Sequence, residues 1–328
     1  MRRALVIYNP VSGSGEAEEI SAIAEHQLTR SGWTTERCAT REPNGARRLA
    51  AGLPGSIDYV IVVGGDGTIR ETLEGFGRAS DQLQLGIVPV GHANVVAREL
   101  GIPRQPARAI ESLLRGTPVP VDLAEANGET CVAMVGVGFD ARAVDYVTRL
   151  RTSAVGTHWY RQWGDSLYLA AGVASALQSR HLRLRLTLDG TTSQPRYAST
   201  VLCNFRTYAK GWSMAPEAHF QSGQLHFQAR TRPGIIAVGW QTFAAMLRTR
   251  SPRFIAEYGT CSEVLLESDR PFPYQIDGDF RGDVQRLEVR IRPQAARIVV
   301  PTLAHAIEAS ASDTRPGLNA GIRTTDAR

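Results

Sequence analysis

Residues 60–75 read VIVVGGDGTIRETLEG, and this stretch decides the fold of the first half of the chain. The Val-Ile-Val-Val run has the pattern of a buried strand, and the turn after it contains Gly64, Gly65 and Gly67. Glycines let backbone N–H groups approach an anion closely, and a helix that follows from Thr68 adds an N-terminal dipole that favours negative charge. A strand, a glycine turn and a helix in this order predict a phosphate site.

Asp66 is the unexpected residue of this turn, because its negative charge would repel a bare phosphate. The carboxylate is explained if a cation such as Mg²⁺ stands between it and a polyphosphate. The alternative is that Asp66 caps the helix that follows, since aspartate is a favoured N-cap residue. The turn by itself leaves both interpretations open.

Short apolar strands alternate with helical patterns from residue 4 to about residue 120. The predicted strands lie at residues 4–8, 33–37, 59–63 and 85–89. The predicted helices lie at residues 20–28, 46–53, 68–76 and 93–100, and around residues 110–114. This alternation predicts βα units on a parallel sheet, with ligands beyond the carboxyl ends of the strands.

The second half of the chain has a different pattern, which begins near residues 117–123. Alternating or apolar strand patterns occur at residues 181–190, 197–205, 224–229, 286–293 and 296–300. They predict a mostly antiparallel β domain, a sandwich, interrupted by helical insertions at residues 166–178 and 235–247. We therefore predict an α/β domain at residues 1–122 and a β domain at residues 123–305, whose last segment returns to the first domain. Residues 310–328 are small and polar and predict a disordered tail.

The composition limits the class of protein. The chain has 328 residues, which suggests two domains or one large one, and 43% of them are hydrophobic and 21% charged, as in an ordinary globular protein. The four cysteines lie far apart without a metal-binding spacing, and no apolar run reaches the roughly 18 residues of a membrane span. The formal net charge of +5 favours anionic partners. We expect a cytoplasmic protein.

Two further loops follow predicted strands and resemble the glycine turn in character. YNPVSGSG at residues 8–15 places small residues and the hydroxyl of Ser12 where a helix begins. GIVPVGHANVVARELGIP at residues 86–103 places His92 and Asn94 after the fourth strand. Because carboxyl ends of parallel strands meet at one edge, we expect these side chains to face one crevice. A solvent-exposed helix start is the alternative for His92.

Six motifs in series resemble the diacylglycerol kinase catalytic family, which includes bacterial lipid kinases and the related sphingosine and ceramide kinases. They are NPVSG (9–13), GGDGTIRETLEG (64–75), PVGHAN with ARELGIP (89–103), GVGFDA (136–141), N-x-x-x-Y-A-K-G-W with AP (204–216) and IDGD (276–279). GGDGT also occurs in NAD kinases and phosphofructokinases, so single motifs are only moderately specific. The series extends over residues 4–305.

The resemblance implies an N-terminal Rossmann-like or phosphofructokinase-like α/β domain and a C-terminal β-sandwich of the NAD kinase and diacylglycerol kinase type. It implies ATP as phosphoryl donor, with contacts from Asn9, Pro10, Ser12, Gly13, Thr40, Gly64, Gly65, Asp66, Gly67, Thr68, Glu71, His92 and Asn94. It implies Mg²⁺, bound with ATP, at Asp66 and Glu71. The acidic pair of the family, which supplies the proton acceptor, matches Asp277 and Asp279. Without the resemblance, that segment would be interpreted as a β-turn.

Three motifs depart from the family pattern. Where the family has G-T-x-N-D, this chain has His92 in place of the threonine and Val95 in place of the aspartate. Where many relatives bind an accessory Mg²⁺ through two aspartates, this chain has Gln221 and Ser222, which are poor ligands for a hard cation, so we expect that ion to be absent. Asp279 replaces a glutamate and is shorter by one methylene.

The resemblance and the charge pattern together suggest partners. Residues 142–164 mix arginines with aromatic side chains, which suits peripheral contact with the inner face of a membrane where a lipid substrate is collected, and equally suits an ordinary surface helix. No nucleic-acid-binding module is recognisable, so nucleic acid is not expected. Exposed edges of a β domain would allow a homodimer.

The sequence thus predicts an ATP-dependent lipid kinase that phosphorylates the hydroxyl of diacylglycerol or a related long-chain lipid. Two alternatives remain. One is a kinase of another small hydroxylated substrate, as in the NAD kinase relatives. The other is a nucleotide- or lipid-binding protein with impaired catalysis. Val95 and Ser222 favour this alternative.

Overall fold

The computed structural model of the protein describes residues 2–77, 83–152, 175, 182–193, 196–208 and 211–302. The first half contains the strands β1 (Arg3–Tyr8), β2 (Thr34–Ala39), β3 (Tyr59–Gly64) and β4 (Gln84–Pro89). Its helices are α1 (Ala17–Arg30), α2 (Gly45–Ala51), α3 (Asp66–Phe76), α4 (Val95–Glu99) and α5 (Pro106–Arg115), with a short 3₁₀ helix at Ser12–Gly15. The predicted alternation of strands and helices is confirmed.

The first four strands form a parallel array in the order β4-β3-β1-β2. The side chains of β1, β3 and β4 are almost all buried, because helices cover the sheet and apolar runs such as that of β3 then face protein on both sides. Those of the edge strand β2 are exposed or half-buried. The helices α1 and α5 pack together, as do α2 and α3. The carboxyl ends of β1, β3 and β4 consequently lie side by side at one edge of the sheet.

The second half is mostly antiparallel. Its strands are β5 (Thr117–Ala126), β6 (Glu129–Cys131), β7 (Met134–Val137), β8 (Arg185–Leu188), β9 (Thr191–Thr192), β10 (Ser199–Cys203), β11 (Leu225–Arg230), β12 (Ala256–Cys261), β13 (Glu263–Ile276) and β14 (Asp279–Val300). Its helices are α6 (Phe139–Thr152) and α7 (Ile235–Met246). The α/β first half followed by a sandwich-like β region confirms the predicted fold class.

Strand β14 joins the two halves. It pairs antiparallel with β13 and β5, and near its carboxyl end it pairs parallel with β4 through Arg297 and Ile298. The main path of the sheet therefore runs β12-β11-β10-β7-β13-β14-β4-β3-β1-β2. The predicted domain boundary after residue 122 lies within strand β5. The domain limits drawn from the sequence stay a prediction.

Some elements differ from the sequence prediction for local reasons. Residues 286–293 and 296–300 belong to one strand, β14, with an irregular register between Arg292 and Ala296, next to Pro293. Strand β13 was not predicted, because the segment around Pro271 and Pro273 reads as a break; the structure places a register shift there, where proline is tolerated.

The predicted helix at residues 93–100 is shorter in the structure. Asn94 has a left-handed backbone with φ of 47°, so α4 begins only at Val95. The predicted helix at residues 235–247 is confirmed as α7. The predicted helix at residues 166–178, apart from Ser175, and the tail at residues 310–328 lie outside the described residues. In the part of the chain that the structure describes, no helix is both long and apolar enough to cross a membrane.

Candidate functional site

Three loops at the carboxyl ends of β1, β3 and β4 touch one another through their backbones. Gly13 has φ of 62°, and a Cβ added there would lie 2.1 Å from the carbonyl oxygen of Val90. A Cβ on Gly65 would lie 3.3 Å from the Cα of Gly91. Only glycine permits the contact at Gly13, and a Cβ on Gly65 would be tight, so the three loops form one continuous cradle.

The loop after β1 is closed on itself and anchored to the neighbouring strand. Asn9 accepts the N–H of Val11 through its side chain at 3.2 Å, and its own N–H donates to Val63 at 3.3 Å. Pro10 follows Asn9, and the N–H of Ser12 donates back to the carbonyl of Asn9 at 3.0 Å. These bonds fix the loop on the cradle beside β3.

Asp66 is the first residue of α3, yet its carboxylate caps a different helix. Its Oδ1 accepts the N–H of Val96, at the start of α4, at 3.0 Å. The N-cap of α3 is Gly65, so the interpretation of Asp66 as the cap of its own helix is wrong. Burial raises the pKa of Asp66, and hydrogen bonds from the N–H groups of Val96 and Val95 work in the opposite direction.

The other members of the glycine turn play different parts. Gly64 makes room for Thr68, because an added Cβ would lie 2.9 Å from the threonine hydroxyl, and Thr68 is buried. A Cβ on Gly67 would meet nothing within 4 Å, so this glycine faces open space. Gly67 therefore lies on the open side of the turn, whereas Gly65 packs against Gly91 and Thr68 lies inside the turn.

Asn94 and His92 do not face the crevice in the same way. Asn94 is buried, donates from Nδ2 to the carbonyl of Gly91 at 2.6 Å, and places Oδ1 in the interior without a hydrogen-bond partner among the described residues. His92 is exposed. Gly91, Asn94, Arg98 and Arg104 line a cavity of about 640 Å³ on the β4 side of the cradle, with Glu16 also in its lining.

Thr40 and Glu71 lie on the other side of the cradle. Thr40 lines a second cavity, of about 530 Å³, together with Tyr8, Arg37 and Arg48. This cavity lies beyond the ends of β1 and β2. Glu71 accepts the N–H of Ala46 at 3.3 Å and so stabilises the start of α2. The structure thus directs Glu71 toward α2 and Asp66 toward α4.

Asp277 is a structural anchor of the turn between β13 and β14. Its carboxylate accepts the N–H groups of Val132, Ala133 and Met134 at 2.8, 2.7 and 3.0 Å. Its backbone is left-handed, with φ of 51°. Burial raises the pKa of Asp277 despite these hydrogen bonds. The carboxylate fixes the position of the turn that carries Asp279.

Asp279 is half-exposed and faces α3. Its Oδ2 accepts from Nη2 of Arg70 at 2.7 Å, and the guanidinium of Arg70 is itself buried. Arg70 was not identified from the sequence. Its position between Ile69 and Thr72, on the buried side of α3, could have indicated a partner, because a buried arginine is normally paired. Arg70 joins the helix of the glycine turn to the acidic turn 209 residues later.

A second buried network also escaped the sequence analysis. Tyr208 donates to Asp140, and Gln275 donates to the other oxygen of Asp140 at 2.8 Å. The side-chain oxygen of Gln275 accepts the N–H of Gly278 at 2.7 Å. Burial raises the pKa of Asp140. The network therefore extends from the GVGFDA motif to the turn of Asp277 and Asp279.

The residues fit a metal bound by nucleotide phosphates better than a metal bound by protein alone. Within the described ranges, no three Asp, Glu, His or Cys side chains come together as a metal site. Ser222 donates to the carbonyl of Gln224 at 3.0 Å, and the nearby Asp122 accepts the N–H groups of Gly223 and Gln294. Asp66 lies in the glycine turn between the loops of Gly13 and Gly91, and its assignment to such an ion stays a prediction.

The described part of the predicted membrane segment, residues 142–152, lies in α6. Arg142 pairs with Asp145 at 3.3 Å and with Asp283 at 3.0 Å, and Arg149 pairs with Asp145 at 2.7 Å. These guanidinium groups are thus engaged by carboxylates. Residues 153–164 lie outside the described residues, and membrane contact by this segment stays a prediction.

Two family models match consecutive parts of the chain. The diacylglycerol kinase catalytic domain matches residues 3–126, and the YegS C-terminal NAD kinase beta sandwich-like domain matches residues 133–300. A diacylglycerol kinase of Bacillus subtilis is 27% identical over 69% of this chain and 72% of its own length. A probable lipid kinase YegS-like of Pseudomonas putida is 28% identical over 68% of this chain and 72% of its own.

The fold has counterparts among solved structures. A putative diacylglycerol kinase of Bacillus anthracis superposes with a TM-score of 0.74 at 17% identity, covering 92% of this chain and 96% of that chain. Another diacylglycerol kinase of the same organism gives a TM-score of 0.69 at 16% identity. These likenesses concern the fold.

Proposed function

The chain belongs to the family in which a diacylglycerol kinase catalytic domain precedes a YegS-type β sandwich-like domain, and on this premise we propose that it is an ATP-dependent lipid kinase. The proposed reaction transfers the γ-phosphoryl group of ATP to the hydroxyl of diacylglycerol or a related long-chain lipid. The product is phosphatidic acid or its analogue, and ADP leaves. The names of the relatives and the geometry of the cradle support this assignment.

One observation carries the proposal. Asp66 and Arg70 stand one turn apart on α3, and Arg70 binds Asp279 at 2.7 Å. The phosphate cradle and a half-exposed carboxylate on the β side are therefore linked by a single helical turn. A phosphoryl donor on the cradle and a hydroxyl acceptor beside Asp279 would then be neighbours, as phosphoryl transfer requires.

The residues have separable parts in the reaction. Backbone N–H groups around Gly13, Gly65 and Gly91 would hold the phosphates, and the cavity of Thr40 or that of Arg98 would receive the rest of the nucleotide. Mg²⁺ bound by Asp66 and the phosphates would supply neutralisation of charge on the transferring group.

Asp279 would accept the proton of the lipid hydroxyl as the hydroxyl oxygen attacks the γ-phosphorus. The bond between the γ-phosphorus and the bridging oxygen of the β-phosphate then breaks. Arg70 holds one oxygen of Asp279, which orients the other toward the cleft. Asp277 belongs to the same turn, and its three backbone hydrogen bonds make it a positioning residue.

One feature favours the alternative of impaired catalysis. Position 95 is the first residue of α4, directly beside the Val96 N–H that binds Asp66, and here it is valine instead of the aspartate of the family pattern. A second carboxylate at this place would face the same ion as Asp66. Its absence leaves Asp66 as the one acidic ligand that we assign. We therefore predict that Mg²⁺ binds more weakly and that the activity depends more strongly on Mg²⁺ concentration.

The test is transfer of labelled phosphate from ATP in the presence of Mg²⁺. The purified protein is incubated with mixed micelles that contain diacylglycerol, monoacylglycerol, ceramide or sphingosine, and in parallel with NAD. Label in phosphatidic acid supports the proposal. Label in NAD alone contradicts the lipid assignment, and saturable ATP binding without transfer to any acceptor favours the binding protein.

A further inference from the structure

Helix α7 presents its large apolar side chains outward and its small ones inward. Ala237, Val238, Gln241, Ala244 and Ala245 are buried against the body of the protein. The exposed set, which we name the α7 face, consists of Ile235, Ile236, Trp240, Phe243, Met246 and Leu247. Ile236 is 77% exposed, Phe243 53% and Trp240 49%. A surface helix of a globular protein normally has the reverse arrangement, and contiguous exposed apolar patches mark interaction sites.

The surroundings of the α7 face are cationic. Residues 231–256 contain Arg232, Arg248, Arg250 and Arg253 and no aspartate or glutamate. Arg232 and Arg248 donate from Nε to the backbone carbonyls of Phe254 and Gly211, which hold the side chains in place without neutralising them. Arg250 is paired with Glu217. Phe254, 64% exposed, extends the apolar surface among these arginines.

The carboxyl end of α7 reaches the neighbourhood of the proposed nucleotide site. Arg248 binds the carbonyl of Gly211 at 3.0 Å, and a Cβ on Gly211 would lie 3.0 Å from Nη1 of Arg98. Arg98 belongs to α4 and lines the cavity beside Gly91. The carboxyl end of α7 is therefore close to α4 and to the cavity that Arg98 lines.

We propose that the α7 face docks onto an anionic phospholipid bilayer, with its aromatic and aliphatic side chains in the acyl boundary and its arginines among the headgroups. This inference rests on the proposed function, because a lipid kinase must collect its acceptor from a membrane. Apolar area and basic charge together give this mode of binding. Charge complementarity selects a bilayer over a second copy, since two α7 faces would bring like-charged arginines together.

The test is co-sedimentation with vesicles of phosphatidylcholine alone or mixed equally with phosphatidylglycerol, without ATP or diacylglycerol. We expect binding to the anionic vesicles that weakens as salt is raised. Trp240→Ser and Phe243→Ser should each lower the partition coefficient about tenfold, because each loses a large apolar side chain from the boundary. Ile236→Ser should lower it severalfold, whereas the matched control Ile23→Ser, at an exposed position of α1, should leave it unchanged. Thermal unfolding verifies that the variants are folded.

Two results would overturn the inference. One is vesicle binding that is equal in wild type and in the Trp240→Ser, Phe243→Ser double variant. The other is a dimer in analytical ultracentrifugation that the double variant dissociates, which would assign the α7 face to a second copy.

A kinase assay separates this inference from the proposed function. On a monomeric short-chain diacylglycerol, the double variant should turn over like the wild type, and on vesicle-borne substrate it should lose about tenfold or more. Absence of transfer from the wild type to either substrate would contradict the proposed function while the vesicle-binding result stands.

Discussion

Arg70 of α3 and Asp279 of β14 form an ion pair of 2.7 Å in which the guanidinium is buried and the carboxylate is 50% exposed. The pair connects the helix of the glycine turn with the first residue of the longest strand. It holds the carboxylate beside α3 while leaving half of it open to solvent. A carboxylate so placed can receive a proton, and a buried arginine so placed can fix its orientation.

Asp279→Asn should reduce kcat about 10²- to 10⁴-fold, because an amide cannot accept the proton of the lipid hydroxyl. The KM for ATP should change little, since the phosphate cradle lies on other loops. The measurement is steady-state transfer from ATP to micellar diacylglycerol. Asp283→Asn removes a carboxylate from the same strand, bound to Arg142, and serves as the matched control. Equal kcat values for Asp279→Asn and wild type would refute the assignment.

The two partners of the pair should differ in their effect on stability. Asp279→Ala leaves the buried charge of Arg70 without its partner and should lower the unfolding free energy by about 2 kcal/mol. Arg70→Met removes the buried charge and keeps the volume, and Asp279 keeps Arg281 at 3.7 Å. The buried Asp277 loses a favourable neighbouring charge, so this variant should lose some stability, but less than Asp279→Ala. Both should lower kcat. Chemical denaturation measures the difference, and a larger loss for Arg70→Met would contradict the argument.

Asp66→Asn should lower kcat at saturating Mg²⁺ about 10²-fold or more, because charge neutralisation at the phosphates is lost. The fold should persist, since the amide oxygen of asparagine can still accept the N–H of Val96. Magnesium titration of the initial rate is the measurement. Glu74→Gln, a carboxylate further along α3 that pairs with Arg47 at 3.4 Å, is the control. A wild-type Mg²⁺ curve for Asp66→Asn would remove the proposed metal role.

The sequence predicted what depends on near neighbours along the chain. The apolar runs of β1, β3 and β4 and the glycines after them specify strand, turn and helix locally, so the cradle could be anticipated. The pair of Arg70 and Asp279 could not, because it joins residues 209 apart whose proximity depends on β14 crossing from one half to the other.

Two other features needed packing information. One interpretation of Asp66 was a cap for its own helix. In the structure α4 begins close by, and the Asp66 carboxylate accepts the N–H of Val96 in that helix. The periodicity of α7 predicted a helix, but apolar residues occur all round it, and only packing decides that Ala244 and Ala245 face inward while Trp240 and Phe243 face outward.

Asp140→Asn should change how stability depends on pH. Burial raises the pKa of Asp140 in the folded state, so the folded protein binds its proton more tightly than the unfolded chain does. That contribution is fully present below the unfolded pKa, near 4, and is lost as pH rises through the folded value. The wild-type unfolding free energy should thus fall relative to the variant above about pH 4, by at most about 1.4 kcal/mol per pH unit.

Denaturation curves of both proteins across pH 4 to 8 make this comparison. Asp66 and Asp277, whose pKa values are also raised by burial, are present in both proteins and cancel in the difference. Tyr208 can still donate to the asparagine oxygen, so the network keeps one of its bonds. Curves that run parallel over the whole range would show that Asp140 does not contribute.

Gly13→Ala should weaken ATP binding at least tenfold, because the new Cβ would lie 2.1 Å from the carbonyl of Val90 and must push the β1 loop off the cradle. Gly15→Ala is the matched control for backbone strain. Gly15 has φ of 93°, yet an added Cβ meets nothing within 4 Å, so both variants share the cost of a left-handed alanine, about 1–2 kcal/mol, and only Gly13→Ala adds the clash. Calorimetric titration with ATP separates them. Equal losses of affinity in the two variants would mean that strain in the loop, and not its contact with Val90, governs nucleotide binding.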